Sequence, residues 1–135
     1  MLRCHDGHVN RQINPSSIAP PAASYAHAVL TVAPSRWLHT SGVVPTAPDG
    51  STPDGVGAQA EVVWKSIAAM LTEAGMSSGD VVSVTTYVVA GEPLGPVMAV
   101  RDRFLAGHLA ASTLVTVPEL AQPQWRMEVA IVAAR

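Results

Sequence analysis

Arg36-Trp37-Leu38-His39-Thr40-Ser41-Gly42-Val43-Val44-Pro45 is the stretch on which the reading of the fold turns. Trp37, Leu38, Val43 and Val44 are β-formers and Pro45 closes the run, so it reads as a strand. Its middle holds a Ser-Gly pair. Glycine weakens a strand interior and usually marks a bulge, or a place where a ligand or another backbone comes close. Ser41 adds a hydroxyl and an amide for whatever approaches. Taken by themselves, these residues fit a kinked strand with a buried, satisfied serine.

Upstream, Ser24 to Val32 reads as a strand and Ala33-Pro34-Ser35-Arg36 as a turn, which predicts an antiparallel hairpin with the Arg36–Pro45 strand. Residues 1–22 carry Pro15, Pro20 and Pro21 without periodicity and read as a flexible N-terminal arm, leaving residues 23–135 as the domain. Cys4, His5, Asp6 and His8 resemble metal ligands, but on such an arm they lack a second shell, and no metal site is expected.

Downstream, Thr46 to Gly57 is a polar loop in which Asp54 could cap the next element. From Ala58 to Ala74, Ala60, Val63, Ile67, Met70, Leu71 and Ala74 recur at helical spacing, with Gln59, Glu61, Lys65, Ser66, Thr72 and Glu73 opposite and Trp64 at the stripe's edge. Gly75 suits the helix end. Val81 to Val89 reads as a strand covered on both sides. Pro96 fits the first turn of a second helix, with Val97, Val100, Phe104 and Leu105 inward and His108 as a cap favoured by the helix dipole. Thr113 to Val117 and Gln124 to Ala133 are the last strands. On the final one Trp125, Met127, Val129 and Ile131 share a face, with Arg126 and Glu128 on the other. The order ββ, α, β, α, ββ describes a two-layer α+β domain with both helices on one face of a mixed sheet.

Composition narrows the partners. The 135 residues are 48% hydrophobic and only 13% charged. So few charges leave apolar surface for another copy of the chain to cover, which places concave clefts between subunits. A net charge of −2 without a basic stripe argues against nucleic acid. The single cysteine excludes an internal disulfide and fits a reducing compartment. With no apolar run of membrane-spanning length and no hydrophobic signal segment, a cytoplasmic protein without membrane contact is expected.

From Tyr25 to the C-terminus the sequence resembles the RidA/YjgF (Rid) family. Tyr25-Ala26-His27-Ala28-Val29 resembles its Tyr-Ser-x-Ala-Val opening, and Thr40-Ser41-Gly42-Val43-Val44-Pro45 its Thr-Ser-Gly-Gln-Ile-Pro. The first helix ends in Glu-Ala-Gly, as is typical. Asp80-Val81-Val82 followed by Thr85-Thr86-Tyr87-Val88 resembles the next strand, and Met127-Glu128-Val129-Ala130 the terminal Ile-Glu-hydrophobic-Ala. The resemblance implies a chorismate-mutase-like subunit in a homotrimer, with a small-molecule site in each inter-subunit cleft and no cofactor. It also implies hydrolysis of imino or enamino acids, an arginine gripping the substrate carboxylate and a terminal-strand glutamate handling the water.

Leu109-Ala110-Ala111-Ser112-Thr113 departs from the family's Pro-Ala-Arg-Ser motif, because Ala111 stands where the arginine would be. An ordinary 2-imino acid deaminase is therefore not expected. Glu128 is the candidate catalytic residue, and Tyr25, Ser41, Gly42, Arg101, Ala111 and Thr113 the candidate substrate-binding positions. Arg101, which matches an asparagine of the family, or Arg126 would supply a cation from another direction; each also reads as a surface charge, Arg101 paired with Asp102 or Glu92. Two functions follow: a Rid-type hydrolase of imines, enamines or related metabolites, or a non-catalytic trimer that binds a metabolite or a partner protein. A ribonuclease ranks last on charge.

Overall fold

The structure is a computed structural model that describes residues 9–135. The Cys4, His5, Asp6 and His8 cluster lies outside the described residues. Six strands and two α-helices follow in order: β1 (Asn10–Ile13), β2 (Ala28–Thr31), β3 (Trp37–His39), α1 (Val56–Glu73), β4 (Val81–Val89), α2 (Leu94–Leu105), β5 (Ala111–Val117) and β6 (Met127–Ala134). The main sheet has the order β3-β6-β4-β5. β4 and β5 are parallel, with α2 as their crossover, while β6 runs antiparallel to both β3 and β4. This is the two-layer α+β domain read from the sequence.

Helical periodicity builds the helix layer. Val56, Ala60, Val63, Trp64, Ile67 and Leu71 of α1 are buried at three- and four-residue spacing. They form one core with Val84 and Val88 of β4, Val97, Val100 and Leu105 of α2, and Met127, Val129 and Ile131 of β6. Trp64, at the edge of the apolar stripe, packs within this core. Gly75 has φ +71 and reverses the chain after α1, as expected. Asp54 does not cap α1; Gly55 precedes the first turn, with no side-chain cap.

Other differences have local causes. The expected hairpin is absent: β2 pairs with β1, and β3 pairs with β6 through Leu38↔Ala133. Ala33, at φ +48, redirects the chain between them, and the apolar length of β6 offers β3 a longer partner. β1 lies inside the segment read as an arm. Asn10 secures it, because its Oδ1 accepts from Thr31 Oγ1 at 2.9 Å and its Nδ2 donates to the Ala134 carbonyl at 2.7 Å. α2 ends at Leu105 with Ala106 left-handed, so His108 is no helix cap; its Nε2 meets the Val81 carbonyl at 2.7 Å.

Gln59, which the helical pattern places on the solvent face of α1, is only 2% exposed. Its amide donates to the carbonyls of Pro53 and Gln124 at 3.0 and 2.8 Å, and its oxygen accepts from the Arg126 amide at 2.8 Å. One side chain thereby ties the loop before α1 to the chain entering β6. Gln59→Ala leaves these buried groups unpaired, and a loss of about 3 kcal/mol is expected in urea unfolding. A loss below about 1 kcal/mol would contradict the assignment.

Candidate functional site

The Ser-Gly pair breaks the strand predicted over 36–45. Thr40 still bonds to β6: its amide donates to the Ile131 carbonyl at 3.1 Å, and its hydroxyl accepts from the Ile131 amide at 3.0 Å. Val43 then rejoins β6 by exchanging both backbone bonds with Val129. Between these anchors Ser41 and Gly42 stand against Ala130 alone, which is a β-bulge. Ser41 is exposed, so the buried-serine reading fails.

Glu128 explains the glycine. A methyl group built on Gly42 would overlap Glu128 Oε2 and lie 2.7 Å from Cδ. The backbone at Gly42 lies outside the left-handed region, so a side chain here would displace only the flexible end of Glu128. Glu128 sits on β6 opposite Tyr87 of β4. Its neighbours Met127 and Val129 point into the helix-side core, so alternation aims Glu128 at the other sheet face. The ion pairs among the described residues use other acids. Arg126, two residues away, is engaged by Glu92 at 2.8 Å and is not the cation beside Glu128.

Ala111 and Thr113 share that open face, because Ser112 between them pairs with core-facing Val84. Thr113 lies in the row of Thr85 and Ala130, and Ala111 in the row of Ser83 and Val132. Across two strand spacings these positions stand about 10 Å or more from Glu128 within one chain. Trp37 is 51% exposed and stacks on His39 at 5.9 Å between centroids, and Val115 is 41% exposed. Apart from Glu128 and His39, the described strand positions of the open face offer mainly hydroxyl and apolar side chains.

Tyr25 and Arg101 form a second group, at the β5 edge on the helix side. With Ala23, Met98, Ser112 and Leu114 they line a cavity of about 260 Å³. The bridge Ala26↔Ala111 brings Tyr25 there, its hydroxyl accepting from the Ala22 amide at 3.2 Å. Arg101 is only 4% exposed, so it is not a surface helix charge. The predicted positions therefore divide between two sheet faces: Ser41, Gly42, Ala111, Thr113 and Glu128 on one, Tyr25 and Arg101 on the other. Two neighbours were missed. Tyr87 faces Glu128 by register, as the alternation of β4 could have shown, whereas Ser112 carried no signal beyond its place beside Ala111. Among the described residues no group of three His, Cys, Asp or Glu side chains could hold a metal ion.

The family model described as Endoribonuclease L-PSP matches residues 16–135. The chain belongs to this family, also known as RidA/YjgF. Among solved Rid-type structures, it is similar to YyfB of Yersinia pestis, a Rid protein of unknown function: 30% identity, TM-score 0.86, 95% of this chain and 100% of that one. It is similar to YEO7 of yeast at 26% identity and TM-score 0.68, covering 93% and 98% of the two chains. TdcF of E. coli, crystallised with bound serine, shares the fold at 22% identity and TM-score 0.69, over 93% and 98% of the respective chains. No curated protein matches by sequence.

In this Rid chain the contact of Gly42 with Glu128 is testable without a substrate. Gly42→Ala should turn the flexible Glu128 side chain aside and change stability by less than about 1 kcal/mol. A loss above about 2 kcal/mol in chemical denaturation, or the same loss in a Glu128→Ala background, would contradict the packing.

Proposed function

We propose that the protein is a Rid-type hydrolase acting on a small imine, enamine or related metabolite in a cleft between copies of the chain, arranged as a trimer. The observation that carries this reading is the Glu128 carboxylate, held against Gly42 on the open sheet face and not used by an ion pair among the described residues. It is also the one carboxylate among the strand positions of that face. A carboxylate beside an apolar wall can orient a water and take its proton.

The chemistry is a hydration. Water oxygen bonds to the imine carbon as the C=N π pair moves to nitrogen, and Glu128 takes a water proton and returns it to that nitrogen. In the resulting carbinolamine Glu128 passes the hydroxyl proton to the amino group, the C–N bond breaks, and ammonia leaves as a carbonyl forms. The Ser41 hydroxyl and the amides of the bulge line the cleft, with the Thr113 hydroxyl as a further polar group. The exposed Trp37 and Val115 support burial of this face by a second copy. Small-molecule binding on this fold has a precedent in TdcF, crystallised with serine.

Ala111 bears on turnover. Its methyl cannot grip a carboxylate, so an ordinary 2-imino acid deaminase is not the expected activity. The same residue favours a second reading, a trimer that binds a metabolite or a partner protein without turnover. Both are examined by following ammonia release from small imines generated in solution, including 2-iminopropanoate, alongside calorimetric binding of the product carbonyls. For the hydrolase, Glu128→Gln lowers kcat/KM by about 10²–10⁴ while product affinity changes less than about threefold. Undiminished turnover in the variant would sink Glu128's role. Binding by a wild-type protein that releases no ammonia would establish the second reading.

A further inference from the structure

The open face is selective in its charge. Glu128 of β6 and Tyr87 of β4 are directly opposed, and Val115 of β5 stands beyond Tyr87 in the same row. Tyr87 alternates with Thr86 and Val88, both buried toward the helices, so its ring lies on the open side. The row therefore reads carboxylate, phenol ring, isopropyl group. Glu128 pairs with no cation among the described residues, and its oxygens are not among the buried polar atoms that lack a partner. A ligand can reach them.

Each lysine and arginine among the described residues is engaged or placed elsewhere. Arg126 is held by Glu92 and Arg103 by Glu61. Arg36 and Arg135 donate to the carbonyls of Ala74 and Gly75 past the end of α1. Arg101 is buried on the helix side, and Lys65 lies exposed on α1. Arg11 follows Asn10, whose amide bonds the Ala134 carbonyl, about 20 Å along β6 from Glu128. His39 pairs with Val132, about 13 Å along the same strand. An unbalanced carboxylate on a largely apolar surface repels an anion and attracts a cation, the more so as water is excluded. The Tyr87 ring beside it adds to the attraction for a cation, and with Val115 it offers apolar area to a short carbon chain.

We propose that this cleft selects its substrate by charge: it takes imines and enamines that carry no acid group, derived from simple amines rather than amino acids. Their apolar substituent lies along Tyr87 and Val115, and Glu128 faces the nitrogen, which becomes positive as it leaves. The proposal rests on the hydrolase reading above for turnover, whereas the charge preference itself is a property of binding.

Calorimetry with three probes of one shape, isobutylammonium, isobutyramide and isobutyrate, reads that preference. Wild type should bind the cation at least about tenfold more tightly than the anion, with the amide between them. In Glu128→Gln the ratio of cation to anion affinity should fall to within about threefold. Tyr87→Ala should weaken the cation and the amide alike, by about fivefold or more. Should that variant fail to fold, Val115→Ala serves, with a loss of about threefold for both. Turnover is followed on the imine made by oxidising isobutylamine and on 2-iminoisovalerate made by oxidising valine, which differ by one carboxylate. Acceleration over the uncatalysed rate should be at least about tenfold greater for the first. The proposal is overturned if wild type binds isobutyrate as well as isobutylammonium, if it binds none of the probes at millimolar concentration, or if the preference survives Glu128→Gln. Faster turnover of 2-iminoisovalerate would overturn it and leave the hydrolase standing. The predicted order of binding without turnover of either imine would uphold the charge selection and sink the hydrolase.

Discussion

A missing methyl group leaves room for the Glu128 carboxylate on the open sheet face. Gly42 leaves a space beside β6, and the Glu128 carboxylate occupies it. That fit needs the bulge of Ser41 and Gly42 against Ala130, and the bulge needs the backbone bonds of Thr40 and Val43 on either side. These in turn depend on β6 being held centrally between β3 and β4, backed by the core of α1. Local chain geometry and tertiary packing thus converge on one acidic group.

The two faces of the sheet have different fates. The helix side is complete within one chain: α1 and α2 cover it, and even Trp64 and Gln59 are enclosed. The open side presents Trp37 and Val115 to solvent around mostly neutral residues. The proposed cleft between copies gives that surface a use, and the low charge content of the sequence agrees with such burial. The contrast also separates two kinds of polar group, an acid on the unfinished face and a buried guanidinium at the finished one.

Much of this was legible in the residues. The spacing of Ala60, Val63, Ile67 and Leu71 specified α1, Gly75 its end, and the alternation of Met127, Val129 and Ile131 the face of Glu128. The glycine in the Trp37–Val44 run correctly signalled a bulge and a close approach, though not which group approached. What stayed hidden depends on distant partners. Asn10-Arg11-Gln12-Ile13 has no strand-like alternation, and its pairing with β2 is secured by an asparagine side chain reaching both Thr31 and Ala134. Gln59 looked like a surface residue because its three partners lie in loops on either side of the helix. Arg101 looked like a solvated charge beside Asp102, since only the assembled edge of β5 and the Ala23–Tyr25 segment shows that it is enclosed. Predicted site residues fell into two groups because motif order in the chain says nothing about which sheet face a helix residue reaches.

We propose that other copies of the same chain complete the face bearing Glu128. Sedimentation equilibrium at micromolar concentration tests this most directly. One chain has a mass of 14.0 kDa, so a trimer would give three times that, about 42 kDa, holding its mass on dilution. A single species at 14.0 kDa would contradict the claim.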